Sequence, residues 1–194
     1  MDRRAVWPLA DLEIRQRGGR GREIRGAFRY GSTATVRDRG RVRKERIMPR
    51  AFSFAVEDPK REISLLYGHS FNRPIATKLS GSLTLRDTAE ELAFRAILPA
   101  ESEQPTWVRD AVLALGAGLI GGISPGFSVP PPETVPDAER LVPEEGTEDV
   151  MIREIEAAVL AELSLVNRPA YPDTEVERRA AETVRRAREV PIWL

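Results

Sequence analysis

The sequence predicts a mainly β domain with a minority of helix, an α+β class, on three observations. Short stretches of alternating apolar and polar residues recur between Ile24 and Leu98, and one helical period runs from Trp107 to Leu119. Clusters of Gly, Asp, Pro and Ser separate these stretches as turns do. At 194 residues with 41% apolar content, the chain has enough material for one domain with a real core.

The first 22 residues, ending in Arg17-Gly-Gly-Arg-Gly-Arg22, are expected to form a flexible basic arm, with the domain itself at 23–174. Ile24, Gly26, Phe28 and Tyr30 alternate with polar neighbours as in a half-buried strand. Thr33 to Val36 continues in β-favouring residues until Arg37-Asp-Arg-Gly40 turns the chain. Ser53 to Asp58 has the composition of a helical turn. Ile63, Leu65, Tyr67 and His69 are expected on one face of the next strand, with His69 at its end and directed toward the core. Ser82 to Leu85 and Leu92 to Leu98 flank Arg86-Asp-Thr-Ala-Glu90, which predicts a hairpin.

After Pro105-Thr106, the residues Trp107, Val108, Ala111, Val112, Leu115 and Leu119 recur at three- and four-residue spacings, and glycines end this helix. Pro130 to Asp149 is acidic, proline-rich and aperiodic, so 130–149 is expected to be a long mobile loop. Val150 to Val166 is apolar on both alternations, the pattern of one strand buried on two faces, and Arg168-Pro-Ala-Tyr-Pro172 ends it. Glu175 to Glu189 alternates arginine, glutamate and alanine, which predicts a helical tail over 175–194.

Charge excludes some functions. The chain carries 30 basic and 30 acidic residues, so it offers no broad field to attract nucleic acid. Locally, residues 1–50 hold 15 Lys+Arg against 6 Asp+Glu, an excess of 9, while 130–149 holds 7 acids against Arg140 alone. Aromatic residues, at 6%, are sparse and not interleaved with the basic ones, which further disfavours an RNA-binding role. The absence of cysteine excludes disulfides, thiolate metal sites and cysteine nucleophiles, and suits a reducing cytoplasm. The charged start, Met-Asp-Arg-Arg-Ala-Val-Trp-Pro, argues against export. The longest apolar run, Ala111 to Ile123, has 13 residues and four glycines, too short for a bilayer span, so no membrane anchor is expected.

Three segments carry candidate chemistry. His69 is the only histidine, so any imidazole base near neutral pH must be this residue. Ser124 stands between Gly121-Gly-Ile and Pro-Gly126, where the backbone can approach a substrate closely; Ser128 is the runner-up on the same face of an extended chain. A serine hydroxyl needs a neighbouring base to take its proton, and the base needs a carboxylate to hold its tautomer. Glu162, inside the apolar run Val159 to Val166, is the candidate acid; the other reading is an edge-facing glutamate or a salt bridge to an arginine. Gly-Ile-Ser-Pro-Gly is followed by β-favouring residues and prolines where an α/β-hydrolase elbow requires a helix. One histidine and scattered acids give no metal-ligand cluster, and no phosphate- or dinucleotide-binding glycine motif is present, so no cofactor is expected.

In order, Leu66-Tyr-Gly-His-Ser-Phe-Asn-Arg-Pro-Ile75, Gly122-Ile-Ser-Pro-Gly-Phe127 and Glu162-Leu-Ser-Leu-Val-Asn-Arg-Pro-Ala-Tyr-Pro-Asp173 resemble the prohead (capsid maturation) proteases of tailed phages and phage-derived particles. The Gly26-Ala-Phe-Arg-Tyr strand and Glu45-Arg-Ile-Met-Pro-Arg-Ala-Phe52 are also similar, and the likeness runs from about Ile24 to Thr174. The resemblance implies a serine endopeptidase with a small β-barrel flanked by helices, related to the herpesvirus assemblin fold. Such enzymes cut scaffolding sequence from the major capsid protein, and often themselves, inside the immature shell in the host cytoplasm.

Carried over by position, the nucleophile is Ser124, the base His69 and the third member Glu162; by analogy with an arginine in assemblins, Arg168 is an oxyanion candidate. The implied partners are the scaffold-like region of the major capsid protein and a second copy of this chain. Many members have an acid directly after the histidine where this chain has Ser70, and Pro125 replaces a more usual aliphatic residue. Those departures motivate an alternative, a catalytically inactive capsid assembly or scaffolding factor with the same fold. An unrelated nucleic-acid-binding barrel ranks behind both.

Overall fold

The structure, a computed structural model, describes residues 7–8, 13–17, 21–38, 41–146 and 150–167. Among these residues, thirteen strands form three sheets. The first orders Trp7–Pro8 (β1), Gly122–Ser128 (β10), Val159–Val166 (β13), Ser64–Tyr67 (β6) and Ser70–Thr77 (β7) side by side. The second orders Glu139–Pro143 (β11), Met151–Ile155 (β12), Arg41–Ile47 (β5) and Thr33–Asp38 (β4). The third orders Glu13–Arg17 (β2), Gly21–Arg29 (β3), Glu91–Leu98 (β9) and Leu83–Asp87 (β8). Two α-helices, Ser53–Glu57 (α1) and Thr106–Gly116 (α2), complete the described elements, with a 3₁₀ turn at Glu101–Glu103. The class is mainly β with few helices, as predicted. The single closed barrel is not found: among the described residues the ladders end in three separate sheets.

The alternation of β3 turns Ile24 and Phe28 inward, and β9 answers with Leu92, Phe94, Ala96 and Leu98 on its buried face. Thr88 closes the expected β8–β9 hairpin by accepting and donating hydrogen bonds around Glu91. The helical period of α2 buries Val108, Ala111 and Val112, and the Trp107 indole N–H donates to the Pro74 carbonyl at 2.9 Å, tying the helix to β7. Phe28, Phe52 and Phe127 form an aromatic centre, with ring centroids 6.4 Å apart for Phe28–Phe52 and 5.6 Å for Phe52–Phe127. Lys78 donates to the Ala55 and Asp58 carbonyls at the end of α1, where a cation offsets the helix dipole.

Two expectations are corrected. Val150 to Val166 is two strands in different sheets, because the chain turns at Glu156-Ala157-Ala158, where Glu156 and Ala157 N–H bond the Ala138 carbonyl and Ala158 N–H bonds that of Ala51. The strand carrying Ile63 to His69 stops at Tyr67, so His69 lies in the turn that follows and not at a strand end. Strands also occur where an arm and a loop are expected: β2 pairs with β3, and β11 lies within 130–149. Charge holds β11 in place. Arg140 donates to Glu154 at 2.8 Å, Lys44 to Glu144 at 2.6 Å, and Arg153 links Glu45 to Glu139. The tail at 175–194 lies outside the described residues.

Candidate active site

β13 is the centre of the site. It runs antiparallel to β10 and parallel to β6, so one strand faces both the serine segment and the histidine hairpin. The β10 register sets Ser124 opposite Ser164 and Gly126 opposite Glu162. Cross-strand partners share a face, which places all four residues on one side of the sheet. Between the next pairs the register slips: Phe127 meets Leu160, leaving Ala161 as the extra residue of a bulge. That bulge sends Leu160 into the core with Leu163 and Leu165, while Glu162 and Ser164 take the opposite face.

His69 reaches this face through a two-residue hairpin. Gly68 and His69 have φ of +64° and +59°, the signature of a type I′ turn between Tyr67 and Ser70. Glycine accepts that conformation without strain; histidine is among the residues that tolerate it best. The turn is tied to β13 at two points. Gly68 N–H donates to the Leu165 carbonyl, and His69 N–H donates to Ser164 Oγ, both at 3.0 Å.

The imidazole meets the carboxylate directly. His69 Nδ1 lies 2.8 Å from Glu162 Oε1. An ionised carboxylate only accepts, so Nδ1 carries the proton of the neutral ring and Nε2 keeps its lone pair. Nε2 is buried and has no hydrogen-bond partner among the described residues. Glu162 is 3% exposed, a costly place for a charge without partners. Both of its oxygens are engaged, Oε1 by the imidazole and Oε2 by the Ser164 hydroxyl at 2.6 Å.

Gly126 makes room for this carboxylate. A Cβ at that position would come within 2.7 Å of Glu162 Cδ and 2.8 Å of Cγ, and nearer still to Oε1. Gly126 is therefore needed for the acid, not only for backbone approach to a substrate. Pro125 costs β10 little, because among the described residues only Gly122 and Ile123 have a partner, in β1, on the far edge. Phe127 fixes the end of the strand by packing on Phe52.

Of the residues singled out in the sequence, the structure joins His69 to Glu162 by a hydrogen bond and sets Ser124, fully buried, in the neighbouring strand on the same face. Ser128 is exposed, lies beyond the bulge and pairs with Val159, away from the imidazole's partners. Arg168 lies outside the described residues. Two participants were missed, Gly126 and Ser164. The alternation Glu162-Leu-Ser164-Leu was the available sign that a serine shares the acid's face. No group of three or more metal-ligating side chains occurs among the described residues. No helix among them is long and apolar enough to cross a membrane.

A second polar pair lies elsewhere, between the end of β3 and β8. The Tyr30 hydroxyl donates to Asp87 Oδ1 at 2.6 Å. Burial, reinforced by the Asp87 carboxylate, pushes the Tyr30 phenol far above its ordinary range, and burial likewise raises the Asp87 carboxyl.

The model of the caudovirus prohead serine protease family matches residues 10–187. No curated protein and no solved structure matches the chain. The match takes in the histidine hairpin, the serine strand and the acid strand alike, and by it the chain belongs to the caudovirus prohead serine proteases.

Proposed function

We propose that the chain is a serine endopeptidase that trims the scaffold-like region of the major capsid protein, and itself, inside the immature head in the host cytoplasm. Family membership supports a capsid-maturation peptidase. The observation that carries the residue assignment is the His69–Glu162 pair, whose Nε2, without a partner among the described residues, belongs to the only imidazole in the chain and whose sheet face also holds Ser124.

In this reading Ser124 Oγ attacks the scissile carbonyl as His69 Nε2 takes its proton, and Glu162 stabilises the imidazolium that forms. His69 returns the proton to the departing amine as the C–N bond breaks, leaving an acyl-serine. Water, deprotonated by the same Nε2, then releases the acid product and restores Ser124. Arg168 is retained as an oxyanion candidate, and self-association as a property of the working enzyme.

The test is co-expression with the capsid protein, read by intact mass. The parent is expected to shorten the capsid protein, whereas Ser124→Ala and His69→Ala leave it full length, with rates lower by at least about 10³-fold. Processing by Ser124→Ala at the parent's rate refutes the nucleophile. An uncut capsid protein with the parent favours an inactive assembly factor.

A further inference from the structure

We propose that Ser164 is a positioning residue of this peptidase: its hydroxyl locks both the Glu162 carboxylate and the backbone of His69, and so aims Nε2 at the nucleophile. The proposal rests on the reading of His69 as the base.

Ser164 is fully buried in the central strand, between Leu163 and Leu165, whose side chains belong to the core. Packing alone would be satisfied by alanine. The hydroxyl instead makes two bonds, donating to Glu162 Oε2 at 2.6 Å and accepting from His69 N–H at 3.0 Å. A carboxylate held at one oxygen can still swing about its last bond. Engaging Oε2 removes that freedom and fixes where Oε1 meets Nδ1.

The second bond acts on the turn. His69 sits at a positive φ that a residue with a Cβ adopts at a cost, and its N–H points away from any ladder partner. Ser164 satisfies that N–H and holds the imidazole's stem against β13. One hydroxyl thus fixes the base from both ends, through its carboxylate and through its main chain. Its proton is committed to Glu162, and it meets the main chain of His69 instead of Nε2, so it is not disposed as a nucleophile.

The chain's single histidine makes the test direct, because protein labelled with ¹⁵N in histidine gives ring signals from His69 alone. The parent is expected to show a neutral ring protonated at Nδ1. Ser164→Ala is expected to move the ring signals toward a mixture of tautomers and to lower kcat by roughly 10- to 100-fold, with KM changed by less than about twofold. Ser164→Thr, which keeps the hydroxyl, should retain the parent's ring signals and most of its kcat. A well-dispersed backbone spectrum establishes that each variant is folded. Parent-like kcat and ring signals in Ser164→Ala overturn the proposal, as does an equal kcat loss in folded Ala and Thr variants. Undiminished cleavage by Ser124→Ala or His69→Ala would instead refute the catalytic reading, while the ring signals of Ser164→Ala still report on Ser164.

Discussion

Replacing Gly126 with alanine tests the site through a residue that carries no functional group. The new Cβ would sit 2.7 Å from Glu162 Cδ and closer still to Oε1, and ordinary contact begins near 3.4 Å, so the carboxylate must retreat by at least about 0.7 Å. If that movement stretches the 2.8 Å bond to His69 Nδ1 by the same amount, it becomes about 3.5 Å or longer, at or beyond the limit of a hydrogen bond. Overpacking a tight site costs about 1–3 kcal/mol, a cost that includes the weakening of the His69 bond. The variant should therefore lose about 1–3 kcal/mol of stability, a fall in Tm of roughly 2–12 °C for a chain of this size. Peptide cleavage should fall by about 10²-fold as the imidazole loses its fixed orientation.

Thermal melts and capsid-peptide kinetics measure both effects, and a double-mutant cycle isolates the cause. In a Glu162→Ala background the obstructing side chain is gone, so Gly126→Ala should be neutral or stabilising by up to about 1 kcal/mol. The reasoning is refuted if Gly126→Ala alone keeps the parent's Tm and cleavage rate. It fails equally if the penalty is the same with and without Glu162.

Glu162→Gln keeps the shape of the acid but lets an amide N–H face Nδ1; the imidazole then favours the tautomer with its proton on Nε2, and kcat should drop by about 10⁴-fold with little change in KM. Pre-steady-state acylation of a chromogenic ester reads that step directly, and a loss below tenfold contradicts the assigned role. The Tyr30–Asp87 pair predicts an alkaline limit on stability. The raised phenol keeps its proton when folded while the unfolded chain ionises near pH 10, so its contribution is complete below that value and is lost above it. Melts from pH 7 to 11 should show the stability advantage of the parent over Tyr30→Phe holding constant to roughly pH 10 and then shrinking; a gap that widens above pH 10 would show the opposite sign.

The parts of the fold written in local periodicity were legible. Alternation located β3 and the β8–β9 hairpin, and three- and four-residue spacing located α2, because each buries one face against neighbours nearby in the chain. What depends on distant partners was not legible. β12 and β13 read as one apolar run although their neighbours belong to different sheets, and only the ladder partners reveal the break. β11 carries almost no apolar alternation; ion pairs to Glu154 and Arg153 hold it, so hydropathy could not show it.

The His69 turn escaped for a related reason. Gly-His is not the Asn-Gly or Asp-Gly pair that announces a type I′ hairpin, and the bond from Ser164 that supports it comes from 95 residues away. In the site, residue chemistry pointed to His69, Ser124 and Glu162. Gly126 and Ser164 emerge only once the register sets them opposite Glu162 and Ser124.

β13 is the last described strand in the chain, yet it lies between two strands made much earlier. His69 and Glu162 are 93 residues apart, and the bonds from His69 to Glu162 and Ser164 both end in this late segment. Loop closure over such distances comes late in folding, and synthesis delivers β13 after both of its neighbours. A nascent or truncated chain ending before Val159 therefore has Ser124 and His69 but neither Glu162 nor the strand that lies between their segments. On the proposed assignment, the pairing of His69 with Glu162 has to wait until the strand at Val159–Val166 has been made and inserted.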